Sequence, residues 1–311
     1  MYNLVVVELR SLTKKFDLVV AGHLAIDNIE IGKTRVVRVG GPPFYSAIAA
    51  SRLGVKVAVL SKVGGDFSRM YLEILENEQV NIDFTQIVEN AKTTSFHIKY
   101  INNFRKMKLE ALCHGLLPED VSTKLKAKAV HIAPIANEVS YETFERLRKN
   151  ADIVCLDPQG FTRRFDEKRN VELKEWRDKR FLEKTSILKA NEKEAACLSG
   201  FSNPYRAAEK IAEYGVEMVI VTLAEKGAIL YCDGKIHEIP AYPVRVADLT
   251  GAGDVFMGVF IAEYIKGKDP AWCGCVGSAA ASILIEKSDL LRFGFKDEIY
   301  ERAEKLYGMI G

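Results

Sequence analysis

The sequence predicts an α/β fold: a doubly wound, Rossmann-like and mostly parallel sheet carrying a small β-strand lid. Three observations predict it. Short apolar runs closed by glycine or a polar residue alternate with helical patterns, which is the rhythm of βαβ units. Polar residues collect just after those runs, at the carboxyl ends where open α/β sheets bind ligands. Two stretches, about 29–39 and 93–112, switch to period-two alternation and interrupt the rhythm, so they read as lid strands inserted into a single domain spanning residues 1–311.

The elements follow in order. Residues 16–22 (FDLVVAG) have the profile of a buried strand, and Asp27 comes shortly after it, either capping its own turn or contacting a substrate. Residues 29–39 carry Lys33, Arg35 and Arg38 on exposed strands. Gly32-Lys33-Thr34 resembles the end of a Walker phosphate loop, but the glycine which that motif needs at position 27 is Asp27, so the match is rejected. Gly40-Gly41-Pro42-Pro43 turns into a small-residue helix closed by Gly54. A strand over 57–60, a helix to about Glu78, a hairpin turning at 101–105, a strand at 129–133 and a helix near 141–149 come next. The strand 152–156 ends in Asp157-Pro158-Gln159, again where ligand contacts collect.

Residues 163–184 mix both charge signs and read as a solvated helix or loop, with Arg163 and Arg164 close enough to Gln159 to serve as anion ligands. After the strand 186–190, Asn191 suits an N-cap completed by Glu194; the same pair could instead serve a complex of magnesium and phosphate. The strand 217–223, the turn at Gly227 and a hairpin through Asp233-Gly234 follow. A helix with small residues at its contacts then covers 272–284.

Between the last two lies Thr250-Gly251-Ala252-Gly253-Asp254, a glycine-rich helix start. Backbone N–H groups there lack intrahelical partners, and the helix dipole adds positive character, so an anion is favoured. Gly251 and Gly253 permit close approach of a phosphoryl group. Asp254 is then either a first-turn acid stabilised by the dipole or a general base beside an anion hole.

Composition narrows the function classes. Lys plus Arg number 44 against 42 for Asp plus Glu, a net charge of +2 that is too balanced for a nucleic-acid partner or an anionic membrane surface. No apolar run reaches the length of a membrane span, and residues 1–10 lack a signal-peptide pattern, so a cytoplasmic location is expected. The six cysteines are scattered, Cys273-Gly274-Cys275 apart, and read as reduced core thiols rather than disulfides or zinc ligands.

Taken together, these motifs resemble the ribokinase, or PfkB, family of carbohydrate kinases over about residues 16–290. Gly40-Gly41 looks like its N-terminal signature, Asn191-x-x-Glu194 like its magnesium and phosphate motif, Val221-Thr222-Leu223 with Gly227 like its nucleotide loop, and residues 250–254 like its C-terminal signature. The resemblance implies a phosphotransferase using ATP and Mg²⁺, with a monovalent cation as an optional addition. It implies Asp254 as the base and the N–H groups of Gly251, Ala252 and Gly253 as the anion hole. Asn191, Thr222, Gly227 and Thr250 would border the nucleotide, and Glu194 would reach Mg²⁺ through water. Asp27, Gly40, Gly41, Tyr45 and Gln159 would hold the acceptor, and the lids would pair two copies into a homodimer.

Two positions depart from the family pattern. Tyr45 stands where an asparagine is usual, and Ala224 where a glycine usually follows the Val-Thr-Leu strand. An aromatic ring can stack on the apolar face of a substrate ring but cannot reproduce the paired hydrogen bonds of an amide. Residues 157–161 with Tyr45 look similar to a branch that includes archaeal sugar-kinase-like proteins and inositol kinases. The expected acceptor is therefore a sugar or a cyclitol such as myo-inositol, with nucleosides as the main rival. A phosphosugar would need a basic pocket, for which Arg105, Arg163 and Arg164 are the available side chains. The reading from another class is a catalytically silent sensor that binds a sugar or nucleotide; the intact Asp254 favours the enzyme.

Overall fold

The computed structural model describes residues 15–310 apart from Lys33, Asn102, Asn103 and Arg177. The sequence reading of residues 1–10 and the turn at Asn102 and Asn103 lie outside the described residues. In chain order the elements are β1 (Phe16–Ala21), β2 (Ala25–Ile31), β3 (Thr34–Gly40), α1 (Pro42–Arg52), β4 (Val57–Gly64), α2 (Arg69–Asn77), β5 (Asn81–Val88), β6 (Ser95–Ile101), β7 (Phe104–Ala111), β8 (Ala127–Ile132), α3 (Tyr141–Arg148) and β9 (Ala151–Leu156). They continue with α4 (Gln159–Thr162), β10 (Arg163–Phe165), β11 (Val171–Leu173), β12 (Ile187–Asn191), α5 (Glu192–Ser199), α6 (Pro204–Ala212), β13 (Met218–Thr222), β14 (Ala228–Cys232) and β15 (Lys235–Ile239). Three helices, α7 (Ala252–Tyr264), α8 (Pro270–Glu286) and α9 (Lys296–Tyr307), close the chain.

The main sheet has nine strands among the described residues, in the order β15-β14-β13-β12-β9-β8-β1-β4-β5. It is parallel from β5 to β13, and β14 and β15 add an antiparallel edge. Its two covered faces follow from the period of two in each strand. Leu18, Val20, Val57 and Val59 point into one core with α1, α2, α7, α8 and α9. Their neighbours Val19, Ala21, Ala58 and Leu60 point into a second core with α3, α5 and α6. Full burial of each valine or leucine among them contributes roughly 1.5–3 kcal/mol, so these strands cannot slip register by one residue.

A separate sheet, β3-β2-β6-β7, forms the lid. It encloses its own small core of Ala25, Ile29, Phe96, Ile98 and Leu109 with Ile135 from the main body. Under it, α1 and α7 approach so closely that a Cβ on Gly258 would lie 2.4 Å from the Ser46 carbonyl oxygen. This contact draws two glycine-led helix starts, at Gly41 and Gly251, to the same place.

The stretch 163–184 departs from the solvated helix or loop read from its charges. It forms the antiparallel pair β10 and β11, and Trp176, Phe181 and Leu182 are buried, with Trp176 stacked on Phe161 at 4.6 Å between ring centroids. The charged residues outnumber the anchors, but burial of large aromatic rings decides where the segment lies. Strand β5 and helices α6 and α9 had no counterpart in the sequence reading. All six cysteines are unbonded, five of them buried, and no helix among the described residues is long and apolar enough to cross a membrane.

Candidate active site

The carboxyl ends of the central strands, the starts of α1 and α7 and the underside of the lid meet at a cleft. Its polar lining comes from Asp27, Gln159, Arg163, Thr250 and Asp254, and its apolar wall from Pro42, Tyr45, Phe96, Met107 and Ile135.

Asp27 does not sit in a loop after β1, as its spacing from that strand had implied. It lies within β2, buried, in register with Arg38 on β3 and Phe96 on β6. Gly40 is absent from the lining of the cleft, and its part is indirect: a Cβ there would stand 2.5 Å from Asp27 Oδ2, so the missing side chain makes room for that carboxylate. Gly41 does line the cleft, with φ of +92°. Tyr45 lies with its ring against Gly251, where a Cβ would fall 2.4 Å from the aromatic carbon, and its hydroxyl donates to the Val39 carbonyl at 3.3 Å. Its contribution to the cleft is thus an aryl wall.

Gln159 opens α4, and its Oε1 accepts a 2.7 Å hydrogen bond from Arg163, whose other nitrogen donates to the Ile135 carbonyl and whose guanidinium lies over the Phe96 ring. Arg164 instead donates to the carbonyls of Phe161 and Arg163 and does not line the cleft. The side chain of Arg105 is outside the described part of the structure.

Asp254 occupies the first turn of α7 and opens on the cleft while protein walls it in on the other sides. Burial pushes its carboxyl up to about 7; Lys189 and Arg163 oppose the shift, and Asp157 and Glu194 add to it. Lys189 is the residue that sequence reasoning missed. It is buried in the middle of β12, ion-paired with Asp157, and a Cβ on Gly253 would lie 3.2 Å from its Nζ. Burial disfavours its charge, but Asp157, Asp254 and Glu194 outweigh that and hold its pKa above the usual value. The available signal was a lysine inside an otherwise apolar strand, Ile187-Leu188-Lys189-Ala190.

The helix start turns through a left-handed glycine, a conformation that needs no side chain to be accommodated. Gly251 has φ of +84° and precedes the first helical residue. The Ala252 N–H turns back to the Leu249 carbonyl at 3.3 Å, whereas the N–H groups of Gly251 and Gly253 have no partner among the described residues. Of the three donors read from the sequence, two are therefore unpaired, and of these Gly251 lines the cleft whereas Gly253, like Ala252, does not. Thr250, expected beside the nucleotide, lines the same cleft, and its buried Oγ1 has no hydrogen-bond partner among the described residues.

Asn191, Glu194, Thr222 and Gly227 lie outside the cleft. Asn191 and Glu194 make a reciprocal cap, each side chain accepting from the other's backbone N–H at 3.0 Å. Thr222 is the register partner of Asn191 on the adjacent strand end, and Gly227, at φ of +92°, turns the chain where a Cβ would meet the Ile239 carbonyl oxygen at 2.0 Å. Glu194 is buried; burial and Asp157 raise its pKa, with Lys189 opposing, so it belongs to the same charge cluster as Asp254. No group of three or more His, Cys, Asp or Glu residues poised to hold a metal occurs among the described residues.

The pfkB family carbohydrate kinase profile matches residues 11–292. A cytidine kinase of Thermococcus kodakarensis is 29% identical over 286 residues, covering 87% of this chain and 96% of that protein. A nucleoside kinase of Methanocaldococcus jannaschii is 30% identical over 276 residues, covering 86% and 85%. A solved structure of a pyrophosphate-dependent kinase in the ribokinase family, in complex with a pyrophosphate analog and myo-inositol, superposes with a TM-score of 0.79 at 22% identity, covering 91% of this chain and 99% of that one.

Proposed function

The chain belongs to the pfkB family of carbohydrate kinases, and from that footing we propose that it transfers a phosphoryl group from Mg·ATP to a hydroxyl of a nucleoside. The observation that carries the reading is Asp254: a carboxyl pushed up to about 7, on the cleft, one turn inside a helix start with two unpaired N–H groups. A pure binding protein has no use for a base tuned to neutral pH in that place.

The chemistry then divides among this chain's residues. Asp254 takes the proton of the attacking hydroxyl, and the Gly251 and Gly253 N–H groups donate to oxygens of the transferring phosphoryl group. Lys189, beneath Gly253, adds positive charge to that cradle without entering the cleft. Phe96 and Met107 of the lid exclude water from the reacting atoms. Mg²⁺ bound with the nucleotide would neutralise part of the phosphate charge. Glu194, with one oxygen committed to its cap, would reach the ion through water.

The lining of the cleft supports putting a nucleoside ahead of the sugar or cyclitol expected from the sequence. Asp27 offers acceptor oxygens to ribose hydroxyls, while Phe96, Met107 and Ile135 give an apolar wall on which a base can pack, with Arg163 and Gln159 beside it as polar groups. The cytidine and nucleoside kinases among the relatives support the same order. Asp27 would serve a cyclitol equally well, so myo-inositol is the second reading. Residues 1–311 are proposed as one catalytic unit, and Val37, 61% exposed on the edge strand of the lid, supports pairing of two lids in a homodimer, to be checked by light scattering.

The test is a panel of cytidine, adenosine, ribose, myo-inositol and fructose 6-phosphate, each offered with Mg·ATP and separately with pyrophosphate. Phosphorylation of a nucleoside by ATP is the expected result. Turnover of myo-inositol alone would move the assignment to a cyclitol kinase, and turnover with pyrophosphate alone would change the donor. Binding without any product would make the chain a sensor.

A further inference from the structure

A cluster beside the cleft joins three parts of the chain that are far apart in sequence. Asp248, two residues before Thr250, receives the Thr250 N–H on Oδ1 at 2.9 Å. Its Oδ2 is shared by Arg292 at 2.6 Å and by Arg38, which lies 210 residues earlier in the chain. Arg292 is buried, and its second nitrogen donates to the Thr250 carbonyl at 2.6 Å. Burial works against the ionised form of Asp248, but the bonds from Arg292 and the Thr250 N–H outweigh it and hold its pKa low.

The geometry of the peptide unit gives this cluster its consequence. The carbonyl of Thr250 and the N–H of Gly251 belong to one planar trans peptide and point in opposite directions. Arg292 grips that carbonyl on one side, so the Gly251 N–H is directed away from Arg292; Gly251 itself lines the cleft. A charged donor on the carbonyl also polarises the peptide and strengthens its N–H as a donor. Arg38 brings in the lid, because on β3 it is the register partner of Asp27 on β2.

We propose that Arg38, Asp248 and Arg292 form a latch that aims the Gly251 N–H at the transferring phosphoryl group and ties the lid strand to that donor. The proposal rests on the kinase reading of the cleft. All three are positioning residues, acting through the Thr250 peptide and not by touching the reacting atoms.

The probe that separates the two ideas is inorganic phosphate, titrated against the Gly251 amide resonance. Thr250-Gly251 is the only Thr-Gly pair in the chain, so ¹³C′-threonine with ¹⁵N-glycine labelling isolates that amide. In the wild-type protein the resonance should move with phosphate. In Arg292→Ala the phosphate affinity read at that amide should fall about tenfold or more, with Arg292→Lys intermediate, since a compact ammonium keeps the charge but lacks the rigid fork with which the guanidinium spans both oxygens. Free guanidinium ion should restore part of the loss in Arg292→Ala.

Arg38→Ala, a partly exposed position, should weaken phosphate less and, in turnover, raise the KM for the acceptor more than it lowers kcat. It also supplies the test if Arg292→Ala does not fold. Equal phosphate affinity in folded Arg292→Ala and wild type, or Arg38→Ala matching wild type in both readouts, overturns the latch. An Arg292-dependent phosphate response in a protein that phosphorylates nothing in the acceptor panel would sustain the latch and sink the kinase reading.

Discussion

Asp254 carries two separable consequences. Replacing it with asparagine removes the proton acceptor and keeps the shape, so kcat should drop roughly 10²–10⁴-fold while calorimetry shows acceptor binding unchanged. In the wild-type enzyme kcat/KM should fall as pH decreases through about 7, because the base is then protonated. Stability should move in the opposite sense. The folded carboxyl keeps its proton up to about 7, whereas the unfolded chain releases it near 4, so the folded state holds more protons between those values and loses stability as pH rises. Thermal melts between pH 4 and 8 should show Asp254→Asn gaining on the wild type as pH increases. The motif led to the proposal of a base at Asp254 but held no sign of its elevated pKa, because Lys189, Asp157 and Glu194 reach it from other elements.

Among the elements, the loop after β13 stores strain at an identifiable residue. Ala224 has φ of +53°, the left-handed conformation that costs an L-residue with a Cβ roughly 1–2 kcal/mol. Ala224→Gly should therefore stabilise the protein, by less than about 1 kcal/mol once the greater freedom of glycine in the unfolded chain is counted. Urea unfolding checks it; no gain would mean that the loop tolerates the conformation. The departure was visible in the sequence, since Ala224 stands where a glycine is usual. Other features left no such local mark. The reading of 163–184 followed the charges and missed Trp176 and Phe181, and Lys189 sat inside an apolar run. Glycine turns and strand ends were legible because each is encoded within a few residues. The bond from Arg38 to Asp248 was not, since only the folded chain brings such distant residues together.

Across the whole molecule, two sheets with separate cores meet at the cleft, one wound by helices on both faces and one covering a single side. The lid core is small, and β3 at its edge has no neighbour on its outer side among the described strands. Hydrogen exchange should thus be faster in β2, β3, β6 and β7 than in β1, β8 and β9, and acceptor together with nucleotide should slow the lid while leaving the central strands unchanged. Equal slowing throughout the chain would argue against a lid that responds to ligand.

Tyr45, with its ring on Gly251 and its hydroxyl on the Val39 carbonyl, also sets how finely the protein can judge an acceptor. A side-chain amide interrogates a hydroxyl by direction, whereas an aryl face registers only thickness and apolarity. Stereochemical scrutiny then falls on Asp27 and on the alignment of one hydroxyl with Asp254. Epimers that differ at a carbon out of reach of both carboxylates should be phosphorylated with kcat/KM values within about tenfold of each other, the span of a small packing difference. A Tyr45→Asn variant should widen that span. The enzyme is thereby expected to be strict about where it phosphorylates and lenient about which ring it accepts.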